Sequence, residues 1–281
     1  MTNKNVIITG GNAGIGLATS IHLAKLGANI YLVTRSKERA TAAVEQIQKA
    51  SGNKNVKYFI ADLSSQKSIR KLAAEIKHEI DVIDVLINNA GAVFPEFKLT
   101  EDGLEHTIAT NHFAYFLLTN LLLENIKKSD YARIVNVASR AHEDAKIDFD
   151  SFTQNKSYFI FRAYGQSKLA NILFSNELAR RLANSHVTVN SLHPGLVQTK
   201  IGNKGTQWYA KWVWTLLTKL RGISIEKGAA TSIYLATSND VKGVTGKYFS
   251  DSKEKKPQPL ALDESLQKQL WEVSEKLCPI V

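Results

Sequence analysis

Residues 4–16 read K-N-V-I-I-T-G-G-N-A-G-I-G, an apolar run that ends in a glycine-rich turn. Lys4 to Thr9 carries the Val/Ile character of a strand covered on both faces. Gly10, Gly14 and Gly16 follow at the spacing G-x-x-x-G-x-G. From Gly14 a helical pattern runs to Leu26, and Gly27 is a suitable stop. Such a turn needs permissive dihedrals and a backbone that can approach a pyrophosphate closely. The helix start then offers unpaired N–H groups to phosphate oxygens. An ordinary glycine-rich strand-to-helix turn would show the same letters. The nucleotide reading gains because this turn opens a long α/β alternation.

Further along, short β-rich runs recur at Asn29 to Thr34, Val56 to Ala61, Val82 to Asn88, Ala132 to Ala138 and Val187 to Leu192. A later run, GKYFS, adds a candidate seventh. Helical patterns lie between them: Ser36 to Ala50, Ser64 to Ile80 and Thr100 to Ile126. This alternation predicts an α/β fold, a single Rossmann-type domain over residues 1–281. Its doubly wound parallel sheet would have about seven strands flanked by helices. No internal repeat or low-complexity tract interrupts it. The stretch SDSKEKKPQPLAL is the most linker-like and reads as a surface loop before a last helix near Asp263 to Lys276.

Composition narrows the function classes. The net charge of +10 has no concentrated basic stripe behind it, so it reads as a lysine-rich surface and no nucleic-acid partner is expected. The single cysteine, Cys278, allows no intramolecular disulfide and fits a reducing compartment. No signal peptide and no run long enough to span a bilayer is visible, so a cytoplasmic location is expected. No zinc-type spacing of His or Cys occurs, and no metal is expected.

The end of the second strand bears on the dinucleotide. An acid there would hold a ribose 2′-hydroxyl. The sequence instead reads Val33-Thr34-Arg35-Ser36-Lys37, with Arg39 close by. The planar fork of Arg35 suits a 2′-phosphate, which predicts NADP(H) in preference to NAD(H). The competing reading is a solvated arginine at a helix start.

Tyr164 and Lys168 stand four apart, so on a helix their side chains share a face. Spacing alone describes a solvated pair equally well. Position favours chemistry. Ser139 closes the fifth strand, NNAG (Asn88 to Gly91) the fourth and HPG (His193 to Gly195) the sixth, all at the sheet edge where such folds place ligands. Tyr158 is a decoy, with Arg162 rather than Lys four residues on. His142, close to Ser139, reads as a packing residue.

With TGGNAGIG, Asp62, NNAG, Asn111, Ser139, YGQSK and HPG in this order, the chain resembles the classical short-chain dehydrogenases/reductases over nearly its whole length. VNVASRAH, SKLANILFSNELARRL and VNSLHPGLVQT look most like the retinol-dehydrogenase-like branch. Ala138 stands where the family often has a second serine. The resemblance implies an oxidoreductase that moves a hydride between a nicotinamide cofactor and a carbonyl or alcohol. Tyr164 would be the general acid or base, its pKa lowered by the positive charge of Lys168 and of the oxidised nicotinamide. Ser139 would hydrogen-bond the substrate oxygen. Asn111 would hold a water linking Lys168 to solvent, and Lys168 would also bind the nicotinamide ribose. The cofactor would lie against Gly10, Asn12, Gly14, Ile15, Gly16, Arg35, Asp62, Leu63, Asn89 and Gly91, as well as Tyr164 and Lys168, with Thr199 at the carboxamide. Asp62 alternatively serves as a helix cap. A homodimer or homotetramer built through the fourth and fifth helices is the family expectation. A non-catalytic NADP(H)-binding sensor or scaffold is the rival reading.

The segment 196–224 is where the family places its substrate lid. Within it, Trp208, Tyr209, Trp212, Val213, Trp214, Leu216, Leu217 and Leu220 form a wide apolar arc if helical. Three readings stand: a core-packed helix, a greasy pocket wall, or a weak membrane-surface contact through 207–221. SYFIF (Ser157 to Phe161) adds aromatic residues just before Tyr164. Together they point to a lipophilic substrate.

Overall fold

The computed structural model describes residues 1–155, 157–195 and 223–280. Thr199 and most of the segment 196–224, including 207–221, lie outside these residues.

One eight-stranded sheet organises the described chain, in the order β3-β2-β1-β4-β5-β6-β7-β8. Its strands are β1 (Asn5–Thr9), β2 (Asn29–Thr34), β3 (Val56–Ile60), β4 (Val85–Asn88), β5 (Arg133–Val137), β6 (Thr188–Leu192), β7 (Lys247–Ser250) and β8 (Lys253–Lys255). The first seven are mutually parallel, and β8 pairs antiparallel to β7. The seven parallel strands are those expected, and β8 adds a short antiparallel eighth. Asp251 (φ 50°) and Ser252 (φ 57°) turn the chain tightly between Ser250 and Lys253, as a two-residue hairpin loop requires. All three residues of β8 are exposed, so no apolar alternation marks it. The rest of the linker-like stretch includes a 3-10 turn, Pro259–Leu262.

Helices cover both faces. On one, α1 (Gly14–Lys25), α2 (Lys37–Ser51) and α6 (Ile225–Thr237) close a core around Val6, Ile8, Leu23, Leu32 and Leu235. On the other, α3 (Gln66–Glu79), α4 (Ala114–Lys127), α5 (Ile160–Arg181) and α7 (Glu264–Leu277) close a core around Leu86, Phe113, Phe116, Phe174 and Trp271. The helix expected from Thr100 starts later. Thr100 to Gly103 forms a turn, with Gly103 at φ +73°. Helix begins at His106–Ile108, where the Glu105 carboxylate accepts N–H bonds from Thr107 and Ile108. It then passes through a π segment, Ala109–Phe113, into α4.

Helix α7 packs against α5, which accounts for the burial of α5 from Gly165 to Ala179, broken only at Asn176. Trp271 is 4% exposed. It lies 5.1 Å from the Phe116 ring and 5.9 Å from the Phe174 ring, with the Arg181 guanidinium 4.1 Å from its own. Its removal leaves a large void. Trp271→Ala is expected to cost about 3–5 kcal/mol, read as a lower midpoint in thermal or urea unfolding. Trp271→Phe should cost far less, because the indole N–H has no partner to lose.

Candidate active site

The strand order reverses at β1, which lies between β2 and β4. The loop after β1 therefore leaves toward one face of the sheet and that after β4 toward the other, the arrangement at which such folds form a binding crevice. Gly10 (φ +65°) and Gly14 (φ +52°) occupy the left-handed region in the first loop. A Cβ on Gly16 would stand 2.4 Å from the Gly10 carbonyl oxygen, so no larger residue permits this turn. Thr9 ties the two loops together. Its hydroxyl accepts the N–H groups of Asn89 (2.9 Å) and Ala90 (3.0 Å), and Asn89 Nδ2 donates back to the Thr9 carbonyl at 2.8 Å. Helix α1 starts with no side-chain cap and no acid in its first turn. Its first N–H groups remain available to an anion beside the glycines. Ile15 is buried in a small apolar cluster with Ala229, and Asn12 is partly exposed beside it. This cradle fits a pyrophosphate.

Arg35 is exposed at the end of β2, while Ser36 caps α2 by accepting the Arg39 N–H. Asp62 follows β3. Burial raises its carboxyl pKa, but bonds from the Ser64 N–H and hydroxyl, with the charges of Arg35 and His106, outweigh this and hold it below its ordinary value. The cap of α3 is Ser65, which accepts the Ser68 N–H, so Asp62 does not cap that helix. Leu63 is buried next to it. These residues border one corner of the crevice.

Ser139 follows β5 and caps a 3-10 turn, Arg140–His142, its hydroxyl accepting the Ala141 N–H at 3.2 Å. Helix α5 approaches this turn so closely that a Cβ on Gly165 would lie 2.6 Å from the Ala141 carbonyl oxygen. That approach sets Tyr164 beside Ser139, whose hydroxyl pulls the phenol pKa downward. One helical turn on, Lys168 Nζ donates to the Val137 carbonyl at 3.0 Å and lies 5.7 Å from the Tyr164 ring. Asn111 sits in the π segment. Its amide accepts the Ala92 N–H (2.7 Å) and donates to the Ala92 carbonyl (2.9 Å) and the Ser167 hydroxyl (2.9 Å). Gly91 faces both groups: a Cβ there would stand 3.3 Å from Lys168 Nζ and 3.4 Å from Asn111 Oδ1.

Burial sets the electrostatics. Lys168, 3% exposed, has its pKa lowered to about 7 by desolvation. Burial also raises that of Tyr164, against the opposing hydrogen bond from Ser139. Among these residues desolvation of both groups dominates and Lys168 holds its charge weakly, so Lys168 by itself does not supply the lowering expected of it together with the oxidised nicotinamide.

Sequence reasoning missed Tyr115, whose hydroxyl donates to the Ala90 carbonyl at 2.7 Å and whose ring lies 5.7 Å from Lys168 Nζ. It stands four residues after Asn111, a spacing that could have revealed it. The decoy Tyr158 has a structural duty, donating to the Phe94 carbonyl at 2.7 Å. His193 Nδ1 accepts the Gly195 N–H at 3.0 Å, where Gly195 has φ +80°.

The family model for short chain dehydrogenase matches residues 4–210. Human retinol dehydrogenase 13 is 43% identical over 278 residues, covering 98% of this chain and 84% of the relative. A chloroplastic short-chain dehydrogenase of Brassica napus, TIC 32 B, is 40% identical, covering 96% of this chain and 87% of its own. Among solved structures, an uncharacterised protein from Mycobacterium paratuberculosis superposes with TM-score 0.79 at 30% identity, covering 99% and 94% of the two chains. A Pseudomonas aeruginosa NADP active-site complex superposes with TM-score 0.71 at 23% identity, covering 89% and 94%, a likeness of fold alone.

Proposed function

The chain belongs to the short-chain dehydrogenase family of nicotinamide-dependent oxidoreductases, and from that premise we propose that it transfers a hydride between NADP(H) and a lipophilic carbonyl or alcohol. The observation that carries the reading is the convergence of Ser139, Tyr164 and Lys168 at the crevice edge, beside the Gly10–Gly16 cradle.

In this reading the N–H groups at the start of α1 and the glycine backbone hold the pyrophosphate, with Asn12 and Ile15 at its flank. Asp62, Leu63, Asn89 and Gly91 line the adenosine and central parts, and Arg35 takes the 2′-phosphate. Thr199 is assigned to the carboxamide by family resemblance alone. The cofactor supplies or accepts the hydride. The chain's own work is positioning and proton movement. Ser139 donates its hydroxyl proton in a hydrogen bond to the substrate oxygen. Tyr164 gives its phenolic proton to that oxygen in reduction and removes it in oxidation. Lys168, held by the Val137 carbonyl, supports the phenolate and the nicotinamide ribose. The Asn111 side chain is engaged by Ala92 and Ser167, so it acts by fixing the backbone around Lys168 and bordering the path by which a proton is replaced.

Two features support a lipophilic substrate. Phe159 (56% exposed) and Phe161 (59% exposed) stand at the start of the helix that carries Tyr164. Several relatives are named retinol dehydrogenases. A carbonyl panel running from short polar ketones to all-trans-retinal, with product measured by chromatography, tests this. Turnover confined to the polar members would overturn it. No helix among the described residues is long and apolar enough to cross a membrane. A dimer or tetramer through α4 and α5 would have to accommodate α7, which already covers α5.

The cofactor preference makes a separate prediction. Losing one charge-assisted pair costs about 1.5–3 kcal/mol, or roughly 10–100-fold in affinity. Arg35→Asp is therefore expected to weaken binding of 2′,5′-ADP by that factor in calorimetry and leave 5′-AMP binding nearly unchanged. Wild-type protein with a higher catalytic efficiency on NADH than on NADPH would refute the preference outright.

A further inference from the structure

Behind Ser139 lies a second layer of polar groups that the proposed chemistry does not use. His142, 1% exposed, closes the 3-10 turn that Ser139 opens. Its ring nitrogen Nδ1 is 2.7 Å from the Ser139 carbonyl oxygen, and its backbone N–H donates to the same oxygen at 3.1 Å. A carbonyl only accepts, so Nδ1 must carry a proton. The other ring nitrogen, Nε2, faces the backbone N–H of Gln258 at 3.5 Å, a donor, and so must be bare. Both contacts are satisfied by one species, the neutral imidazole protonated on Nδ1. Burial holds the His142 pKa below its ordinary value, against the Ser139 carbonyl and Glu143, which pull it upward.

Gln258 is itself held rigidly. It lies between Pro257 and Pro259, and its ψ of 154° is the extended value favoured before proline. From there its side-chain amide donates to the carbonyls of His142 and Ala145 (3.0 Å to the latter). The Tyr248 ring, from β7, packs edge-on against His142 at 5.0 Å. The Pro-Gln-Pro segment, remote in sequence, thus seats the turn that aims Ser139.

We propose that His142 and Gln258 are positioning residues for Ser139: His142, as the neutral Nδ1–H tautomer, is a strut against the Ser139 carbonyl, and Gln258 is its seat. The inference rests on the role given to Ser139 above. A shift of about 1 Å in a reacting group can cost on the order of 100-fold in rate, so a strut that fixes the Ser139 backbone acts on kcat.

Two measurements test it. Nitrogen-15 NMR of the histidine rings, with His142→Asn identifying the signal, is expected to show His142 protonated on Nδ1 alone at pH 7. The Nε2–H tautomer or an imidazolium would overturn the strut, whatever the protein's activity. In kinetics with the best carbonyl of the panel, His142→Phe should lower kcat roughly tenfold or more, with KM and NADPH affinity near wild type. His142→Asn places an amide N–H where Nδ1 stood and should restore most of the loss. Equal kcat in wild type and His142→Phe, or no rescue by Asn, would overturn the proposal. Should His142→Phe fail to fold, Gln258→Ala decides: a lower kcat and a displaced His142 signal support the seat, and an unchanged pair refutes it. A wild type inactive on every carbonyl would fail the functional reading instead, and the tautomer measurement would still decide the strut.

Discussion

Tyr164→Phe is expected to lower carbonyl turnover by about 10²–10⁴-fold, with dinucleotide affinity close to wild type. The variant keeps the ring and its place 5.7 Å from Lys168 Nζ, and loses only the hydroxyl. That hydroxyl stands beside Ser139, which keeps its own bond to the Ala141 N–H. The fold should therefore be little affected, with a stability change within about 1 kcal/mol. The rate carries the effect because neither Tyr115 nor His142 is free to replace the phenol. Tyr115 is committed to the Ala90 carbonyl and His142 to that of Ser139. Ser139 and Tyr164 act on one oxygen, so the double variant Ser139→Ala/Tyr164→Phe should be scarcely slower than Tyr164→Phe alone. The direction of the Tyr164 shift adds a pH signature. With its pKa raised by burial, the phenol stays protonated through the neutral range in the free enzyme. Reduction should accordingly show no loss from this group between about pH 6 and 9, whereas oxidation, which needs the phenolate, should climb with pH. A Tyr164→Phe enzyme within tenfold of wild-type turnover would remove Tyr164 from the mechanism.

The parts of this site that the sequence exposes are those with a local signature. β2 can be delimited to the residue, because Asn29–Thr34 is an uninterrupted β-rich run. The glycine turn is legible because Gly10, Gly14 and Gly16 recur at the passage from strand to helix. The pair Tyr164–Lys168 is legible because helical spacing makes neighbours of them. What stays hidden depends on contacts between distant segments. Gly165 reads as a poor helix residue until the Ala141 carbonyl is seen against it, and Gly91 reads as the end of a loop until Lys168 and Asn111 are seen beside it. The π segment at Ala109–Phe113 has no compositional mark, yet Asn111, at its centre, bonds Ala92 on one side and Ser167 on the other. β8 is concealed for the opposite reason. Its residues are all exposed, and only the turn at Asp251 and Ser252 reveals it.

The electrostatic state of Lys168 was not legible either, because it follows from desolvation and not from spacing. It leads to an expectation that runs against intuition for a buried lysine with a hydrogen bond. Lys168→Met should stabilise the free enzyme while lowering turnover by about 10²-fold or more. The pKa falls from 10.5 to about 7, which corresponds to about 4 kcal/mol of unfavourable free energy at pH 7. Methionine fills similar space without charge. It forfeits the bond to Val137, worth about 1 kcal/mol, but that carbonyl still accepts from Asn171 Nδ2 at 3.3 Å and is not orphaned. A net gain of about 2–3 kcal/mol follows, or roughly 4–8 °C in the unfolding midpoint. The sign fixes the pH window. Because the folded-state pKa is depressed, the destabilisation is full below about pH 7, where folding must hold a buried charge. It declines as pH rises from there, and it vanishes above 10.5, where the unfolded chain also loses the proton. The stability gap between Lys168→Met and wild type should therefore narrow steadily from pH 7 to pH 10, measured by urea unfolding at each pH. Saturating NADPH should also narrow it, if the dinucleotide gives the lysine a partner in the wild type alone. A methionine variant less stable than wild type at pH 7 would mean that Lys168 is held by favourable contacts stronger than its desolvation, and that it carries its charge in the free enzyme.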